Sequence, residues 1–203
     1  MTSNISDARY VLATANPGKI REMRAILGSF GIKTLTREEL GINIDIDETG
    51  ATFYDNAALK ARAICEVSGL PSIADDSGLV VEALGGAPGV HTSSYGGEEL
   101  SDIERCAWLL KKMENMEQRS AKFVCTIVCL FPNGAITTAE GECHGEIALS
   151  PRGADGFGFD PVFFITDRGK TLAELPPDEK NALSHRGAAL RALAKQLETG
   201  RQA

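Results

Sequence analysis

Two patterns of hydrophobic residues alternate along the chain, one typical of strands and one typical of helices. Short apolar runs predict buried strands at Arg9–Thr14, Ile32–Leu35, Ile73–Ala74 and Val162–Ile165. Apolar residues three or four positions apart predict helices from Pro17 to about Gly28, Thr52 to Val67, Ser101 to about Met113 and Ser184 to Leu197. A run over 121–131 returns after a Pro-Asn-Gly-Ala turn as 136–146, which predicts a long hairpin. The alternation predicts an α/β or mixed α+β protein.

The chain has 203 residues and a net charge of -7. An acidic surface argues against nucleic acid or an anionic membrane as a partner, whereas a few cations in a cleft can still bind a small anion. No apolar run is long enough to span a bilayer, and residues 1–8 lack the apolar segment of a secretory signal. We therefore expect a cytoplasmic protein with a flexible leader at 1–8, one domain of two lobes at 9–199 and a frayed tail at 200–203.

Five cysteines are scattered along the chain without a Cys-x-x-Cys pair. Cys125 and Cys129 would share one face of a strand, but a zinc site there would also need Cys143 and His144. We interpret the cysteines as reduced residues of a cytosolic core, with zinc as the alternative.

Two adjacent carboxylates, Asp75 and Asp76, follow the apolar run Leu70–Ala74 and precede a predicted turn at Ser77-Gly78. Because neighbouring carboxylates repel each other, their proximity suggests a hard cation such as Mg2+, which prefers oxygen ligands. The alternative is an Asx-type turn with a solvated aspartate. Glu48, in an acidic stretch before the second helix, is a candidate for a second metal ligand, unless that stretch only complements the helix dipole.

The segment Thr14–Lys19 joins the end of a predicted strand to the start of a predicted helix. Free N–H groups at a helix start favour anions, Gly18 leaves the backbone accessible, and Lys19 adds a positive charge for a phosphate. The segment is not a Walker A sequence. An ordinary capped helix with a surface lysine is the alternative.

Two later segments suggest contacts to a flat ligand. Gly156–Pro161 places glycines around two phenylalanines, and stacking a base on an aromatic ring contributes about 1–3 kcal/mol. The alternative is that the phenylalanines enter the core, which we expect for one of them. If Ser184 caps the last helix, His185 and Arg186 lie in its first turn against the dipole, which suggests that they donate to a ligand rather than form a solvated basic turn.

Taken in chain order, the motifs T-x-N-x-x-K, E-T-G-x-T-F, A-D-D-S-G-L, G-F-G-F-D-P and S-H-R resemble the inosine triphosphate pyrophosphatase family from Tyr10 to about Leu193. One departure is Asp55, where the family usually has Glu. The resemblance implies an elongated fold of two lobes with a central mixed sheet flanked by helices and an active-site cleft between the lobes. It also implies a homodimer with one Mg2+ per subunit. The implied reaction hydrolyses non-standard purine nucleotides (ITP, dITP, XTP) to the monophosphate and pyrophosphate, which keeps them out of DNA and RNA.

The resemblance also assigns site residues. It implies Asp76 as general base, Glu48 and Asp76 as Mg2+ ligands, and as substrate-binding residues Thr14, Ala15, Asn16, Pro17, Gly18, Lys19, Ser77, Phe157, Gly158, Phe159, Asp160, Lys180, His185 and Arg186. Thr14 to Lys19 would bind the triphosphate, Ser77 a phosphate, and the residues from Phe157 onward the base and ribose. Asp75 would help to hold water at the metal.

Base choice is expected to follow hydrogen-bond polarity, because Arg186 and neighbouring donors would suit the keto oxygen of inosine and xanthosine but not the amino group of adenine. Two alternatives remain at this point. One is a related Maf-like pyrophosphatase for modified pyrimidine nucleotides, against which the Ser-His-Arg motif argues. The other is a non-catalytic nucleotide sensor, which would need no paired acids. A serine hydrolase using Ser77 lacks the Gly-x-Ser-x-Gly elbow.

Overall fold

The structure, a computed structural model, describes residues 9–199, so the predicted leader and tail lie outside the described residues. The strands are β1 Arg9–Leu12, β2 Lys33–Thr36, β3 Ser72–Val81, β4 Ser120–Leu130, β5 Ile136–Ile147, β6 Phe163–Ile165 and β7 Lys170–Thr171. The helices are α1 Pro17–Ser29, α2 Phe53–Ser68, α3 Asp102–Lys112, α4 Pro177–Leu183 and α5 His185–Thr199.

Within residues 9–199, seven strands form one sheet in the order β2-β1-β3-β4-β5-β6-β7. Strand β1 pairs in parallel with both β2 and β3, whereas β6 is antiparallel to β5 and β7. Parallel neighbours need a crossover connection, and α1 and α2 lie in the two crossovers at this end of the sheet. The predicted mixed α/β fold is confirmed.

The chain divides into two compact units. Of the described residues, the first unit contains 9–76, Cys125–Gly141 and 186–199, and the second contains Ser77–Val124 and Glu142–His185. Each unit has buried clusters of its own. In the second unit, one cluster joins α3 to the strands and to the loop after β5, and it includes Leu79, Cys106, Leu109, Phe123, Phe159 and Phe163.

The first unit has a buried cluster on each face of its strands, because side chains alternate along a strand. Leu12 and Ile73 pack with residues of α1 and α5, such as Leu27 and Leu190, on what we term the α1/α5 face. The opposite face, here the α2 face, is formed where Val11, Ala13 and Ala74 pack with α2 residues Ala57, Ala61 and Ile64. The side on which a β3 residue projects therefore decides which helices it meets.

Helix starts follow the predicted caps. The Asn16 side chain accepts a hydrogen bond from the Lys19 amide at 3.1 Å, and Pro17 is the first residue of α1. Ser101 and Glu104 form a complete capping box at the start of α3, where the sequence predicts a helix to begin. These signals depend on residues only three apart, so the sequence alone is sufficient to locate them.

Three local predictions are wrong. Strand β3 is not confined to 73–74 but runs from Ser72 to Val81, so Ser77-Gly78 is strand rather than turn. The strand continues because Leu79 and Val81 are buried in their own right and each aspartate finds cationic partners on its own face. Strand β1 ends at Leu12 rather than Thr14.

A short 3-10 turn and a short helix follow β7. Thr171 and Glu174 form a capping box that opens the 3-10 turn, Leu172–Glu174. Helix α4 begins three residues later at Pro177, which has the fixed φ suited to a first helical position. The sequence did not predict this helix.

Two further features bear on the composition analysis. Across residues 9–199, every helix is too short or too polar to cross a bilayer. All five cysteines are free and buried. Burial raises the pKa of the Cys129 thiol to about 12, so this side chain is a neutral core residue at physiological pH.

Candidate active site

The two adjacent aspartates project to opposite faces of β3. Asp75 shares the α1/α5 face with Ile73, and Asp76 shares the α2 face with Ala74. Asp75 is fully buried, and Asp76 is 7% exposed. The pair is therefore not one cluster held together by a shared cation, as its sequence suggested. It is two separate carboxylates, each with its own surroundings.

On the α1/α5 face, Asp75 belongs to a buried ionic network. Its Oδ2 accepts a hydrogen bond from Arg186 Nε at 3.0 Å and lies 3.1 Å from Lys19 Nζ. Arg186 Nη1 donates in turn to Glu22 Oε2 at 2.6 Å. Although burial acts in the opposite direction, Lys19 and Arg186 hold the pKa of Asp75 well below its usual range. Asp75 is therefore ionised at neutral pH, and its role in holding water at the metal stays a prediction.

On the α2 face, Asp76 is surrounded differently. Asn56 Nδ2 donates to Asp76 Oδ2 at 3.1 Å, and Lys60 Nζ lies 3.5 Å from Asp76 Oδ1. The same ammonium donates to Glu48 Oε2 at 2.5 Å. Burial raises the pKa of Asp76 above its ordinary value, and the nearby charge of Lys60 opposes this shift only in part. A carboxylate in this state accepts a proton more readily than an ordinary aspartate.

Lys60 is a further charged residue at this site that the sequence did not predict. It is 7% exposed, and although burial disfavours its charge, Asp76, Asp75 and Glu48 raise its pKa, so the ammonium remains charged. One signal was present in the sequence. Lys60 follows Asn56 by four residues, which places both on one face of α2.

The orientation of the Asn56 amide is fixed from its other end. The Gly50 N–H donates to Asn56 Oδ1 at 2.8 Å, which leaves Nδ2 facing Asp76. A Cβ at Gly50 would lie 2.6 Å from Asn56 Oδ1, so only glycine allows this close approach. Asp55, at the position where the family usually has Glu, belongs to the capping box at the start of α2. Its Oδ2 accepts from the Thr52 hydroxyl at 2.7 Å and from the Thr52 amide at 3.1 Å.

The predicted phosphate segment forms the entry to α1. The Asn16 amide donates to Thr14 Oγ1 at 3.2 Å, and the exposed residues 15–17 lead into buried Gly18. The Lys19 side chain is 16% exposed and points to Asp75 in this structure. Lys19 is thus the link between the predicted phosphate segment and the acidic pair. Ser77, half-buried on β3, begins the second unit.

The predicted base-binding loop lies in the second unit, where Asp160 organises it. Asp160 Oδ2 accepts from the Phe157 amide at 2.8 Å and from Lys180 Nζ at 2.6 Å. Lys180 Nζ also lies 4.6 Å from the centroid of the Phe157 ring, within the range of a cation–π interaction. Phe159 is 2% exposed in the core, whereas Phe157 is half-buried. The expectation that one phenylalanine enters the core is confirmed, and stacking of Phe157 on a ligand stays a prediction.

His185 and Arg186 are divided between the two units. His185 is 4% exposed and stacks on Phe123, with ring centroids 4.6 Å apart and planes inclined by 11°. Arg186 is 2% exposed and belongs to the Asp75 network. The role of both residues in base recognition stays a prediction.

Metal binding depends on which side chains can act as ligands. Among residues 9–199, no three His, Cys, Asp or Glu side chains are grouped so as to hold a metal ion. Glu48 and Asp76 nevertheless approach the same ammonium, so two carboxylates converge at one point. Mg2+ is commonly bound by one or two carboxylates together with water and substrate phosphates. The residues present fit Mg2+ arriving with a triphosphate, rather than a metal held by protein ligands alone.

Known proteins match almost the whole chain. The sequence model of the Ham1 family matches residues 10–196. A dITP/XTP pyrophosphatase of Geobacillus kaustophilus is 47% identical over 190 residues, covering 93% of each chain. One of Geobacter sulfurreducens is 48% identical over 191 residues, covering 93% of this chain and 96% of the relative. A solved HAM1 protein from Coxiella burnetii superposes with a TM-score of 0.86 at 43% identity, covering 95% of this chain and 99% of the other.

Proposed function

The chain belongs to the Ham1 family, and from this premise we propose that it hydrolyses dITP, ITP and XTP to the monophosphate and pyrophosphate. The relatives named above support this assignment, because they are named dITP/XTP pyrophosphatases and match almost the whole chain. They also favour it over a Maf-like pyrimidine pyrophosphatase. The proposed role is removal of these nucleotides before polymerases can incorporate them.

The single observation that carries the proposal is the environment of Asp76. Its carboxylate is nearly buried, its pKa is raised, and Asn56 and Lys60 fix its orientation. We assign to Asp76 the role of general base, which takes a proton from water as that water attacks the α-phosphorus. The bond from the α-phosphorus to the bridging oxygen breaks, and pyrophosphate leaves. A non-catalytic sensor would need none of this arrangement.

Charge on the phosphates requires cations near the reacting atoms. Glu48 and Asp76 would hold Mg2+, which stabilises developing negative charge on phosphate oxygens when it is bound. Lys60 lies between these carboxylates, so it adds positive charge beside the phosphates and opposes in part the effect of burial on Asp76. The start of α1 would bind the β- and γ-phosphates through backbone N–H groups and Lys19.

The purine is assigned to the second unit. Phe157 offers a half-buried ring for stacking, and the Asp160–Lys180 pair holds its backbone and one side of its ring. Hydrogen-bond donors at this site would pair with the keto oxygen at position six of hypoxanthine and xanthine. Adenine presents an amino group there, so a buried donor would be left unpaired and adenine rejected.

The test is pyrophosphate release from ITP, XTP, GTP and ATP, each with Mg2+ and with EDTA. We expect metal-dependent release from ITP and XTP far above that from GTP and ATP. Release from modified pyrimidine nucleotides alone would favour the Maf-like activity, and binding of ITP without release would favour the sensor. Activity that survives EDTA would contradict the Mg2+ requirement. The proposed homodimer and cytoplasmic location are tested separately by sedimentation and cell fractionation.

A further inference from the structure

One helix holds both backbone polar groups of Gly158, the residue between the two loop phenylalanines. The Gly158 N–H donates to Asp102 Oδ2 at 2.7 Å, and the Gly158 carbonyl accepts from Cys106 Sγ at 3.3 Å. Asp102 and Cys106 are four residues apart on α3, so their side chains lie on one face of the helix. A single regular element therefore fixes this point of the loop.

The chemistry of the two side chains suits these contacts. Burial raises the pKa of the Cys106 thiol to about 12, so it stays protonated and can donate to a carbonyl. A hydrogen bond from an amide to a carboxylate is charge-assisted and about twice as strong as a neutral one. Gly158 has φ +60, a left-handed conformation that glycine adopts without strain. Because glycine is equally free to leave this conformation, the two contacts to α3 restrict the loop to one shape.

The neighbours of Gly158 show what the restraint accomplishes. On one side Phe159 is anchored in the core, and on the other Phe157 is half-buried beside Lys180. Asp160 holds the Phe157 amide, so the backbone of the loop is fixed at two successive amides by two different carboxylates. Releasing Gly158 would remove one of the two carboxylates that fix the backbone at Phe157 and Gly158.

We propose that Asp102 and Cys106 are positioning residues for the nucleobase, which hold the loop in the shape that lets Phe157 stack on a purine. The inference rests on the proposed function, since it presumes that Phe157 meets the base. Neither residue belongs to the acidic site on β3. Their loss therefore affects binding of the base and leaves the chemical step and the phosphate contacts unchanged.

The experiment compares ligands with and without a base. Asp102→Ala is expected to raise KM for ITP about tenfold with kcat within about twofold, as loss of one charge-assisted hydrogen bond implies. The inhibition constant of inosine monophosphate should rise in parallel, whereas that of pyrophosphate, which carries no base, should not move. Asp102→Asn keeps an acceptor oxygen and should recover most of the loss. Cys106→Ala should show a smaller effect of the same kind, which Cys106→Ser reverses.

Ser101→Ala is the matched control, because it removes the cap of α3 but no contact to the loop. It should lower thermal stability without changing the KM for ITP. The proposal is overturned if Ser101→Ala reproduces the KM effect, if Asp102→Ala leaves KM unchanged, or if pyrophosphate inhibition weakens as much as that by inosine monophosphate. Wild-type protein that releases no pyrophosphate from ITP would refute the proposed function itself, before any variant is compared.

Discussion

The two faces of β3 give neighbouring, chemically identical side chains opposite properties. On the α1/α5 face, Asp75 is fully buried against Lys19 and Arg186, and its pKa is lowered. On the α2 face, burial raises the pKa of Asp76, with Lys60 opposing the shift. A compensated carboxylate stabilises the fold, whereas one with a raised pKa can accept a proton. The pleat of the strand thus separates an acid whose charge is compensated from the proposed general base.

Asp76→Asn should have the largest effect on activity. Loss of a general base is expected to lower kcat by about 10²–10⁴-fold, because the amide cannot accept the proton from water. The free energy of unfolding should be unchanged or slightly higher, since the ionised carboxylate is disfavoured by burial. Turnover of ITP and urea unfolding of the same preparation measure both. Turnover within tenfold of wild type would remove Asp76 from the general-base role.

Asp75→Asn should have the largest effect on stability. It leaves the buried Arg186 and Lys19 short of one negative charge, and breaking a buried ion pair costs about 3–5 kcal/mol. Urea unfolding measures the loss, with Asp178→Asn on the exposed start of α4 as the matched control. If Asp75→Asn is as stable as this control while losing turnover as Asp76→Asn does, the division of roles between the two faces is wrong.

Lys60→Gln tests the α2 face at its cation. The charge shared by Glu48 and Asp76 disappears, and two charge-assisted hydrogen bonds are lost or weakened. We expect turnover to fall roughly tenfold to a hundredfold, and Lys60→Arg to recover part of it because the charge is restored. Steady-state kinetics with ITP at saturating Mg2+ gives the answer. Equal activity of the Gln and Arg variants would show that the charge itself is unimportant.

Lys19→Ala tests the α1/α5 face from its more exposed side. Because Arg186 still pairs with Asp75, we expect a small loss of stability. We also expect a rise of about tenfold in KM for ITP, from loss of one charged contact to phosphate. Weaker inhibition by pyrophosphate should accompany this rise, in contrast to Asp102→Ala. Unchanged KM and unchanged pyrophosphate inhibition would refute the phosphate role of Lys19.

The pH dependence of stability should show the smallest of the expected differences between the two faces. The lowered pKa of Asp75 contributes stability above the unfolded-state value of about 3.9, and this contribution disappears as pH falls toward the folded-state pKa. The raised pKa of Asp76 acts in reverse, because its contribution is present below about 3.9 and is lost as pH rises through the folded-state pKa.

Urea unfolding in EDTA from pH 7 to pH 3 measures both effects without bound metal. The deficit of Asp75→Asn relative to wild type should shrink toward low pH. The relative stability of Asp76→Asn should instead improve toward high pH. Parallel curves for the two variants would mean that the two environments do not differ as their contacts indicate.

The helix starts and the motifs could be predicted because they are local. The caps at Asn16, Thr52 and Ser101 involve residues three apart, and the resemblance that led to the Ham1 family lies in contiguous motifs. Asp76 and Lys19 were singled out for the same reason. The sequence predicts a strand β3 that is too short, because a run of two acids and a Ser-Gly pair has the local composition of a turn.

Contacts between distant segments could not be predicted in this way. Arg186 meets Asp75 across 111 positions, and Gly158 meets Asp102 across 56. The sequence shows that these groups exist, but the register and pleat of the sheet decide which of them meet. Lys60 combines the two cases. Its helical spacing from Asn56 is visible in the sequence, but its partners on β3 and before α2 are not.

The sequence by itself determined the fold class, the family, the capped helix starts and the presence of carboxylates, cations and an aromatic loop. Only the tertiary structure decided that Asp75 and Asp76 serve different faces, that Lys60 joins Glu48 to Asp76, and that α3 restrains Gly158. The two cases differ in the distance along the chain over which the interactions act. Capping and periodicity act between residues a few positions apart, whereas burial and charge pairing, which set the pKa of each aspartate, depend on chain segments brought together by folding.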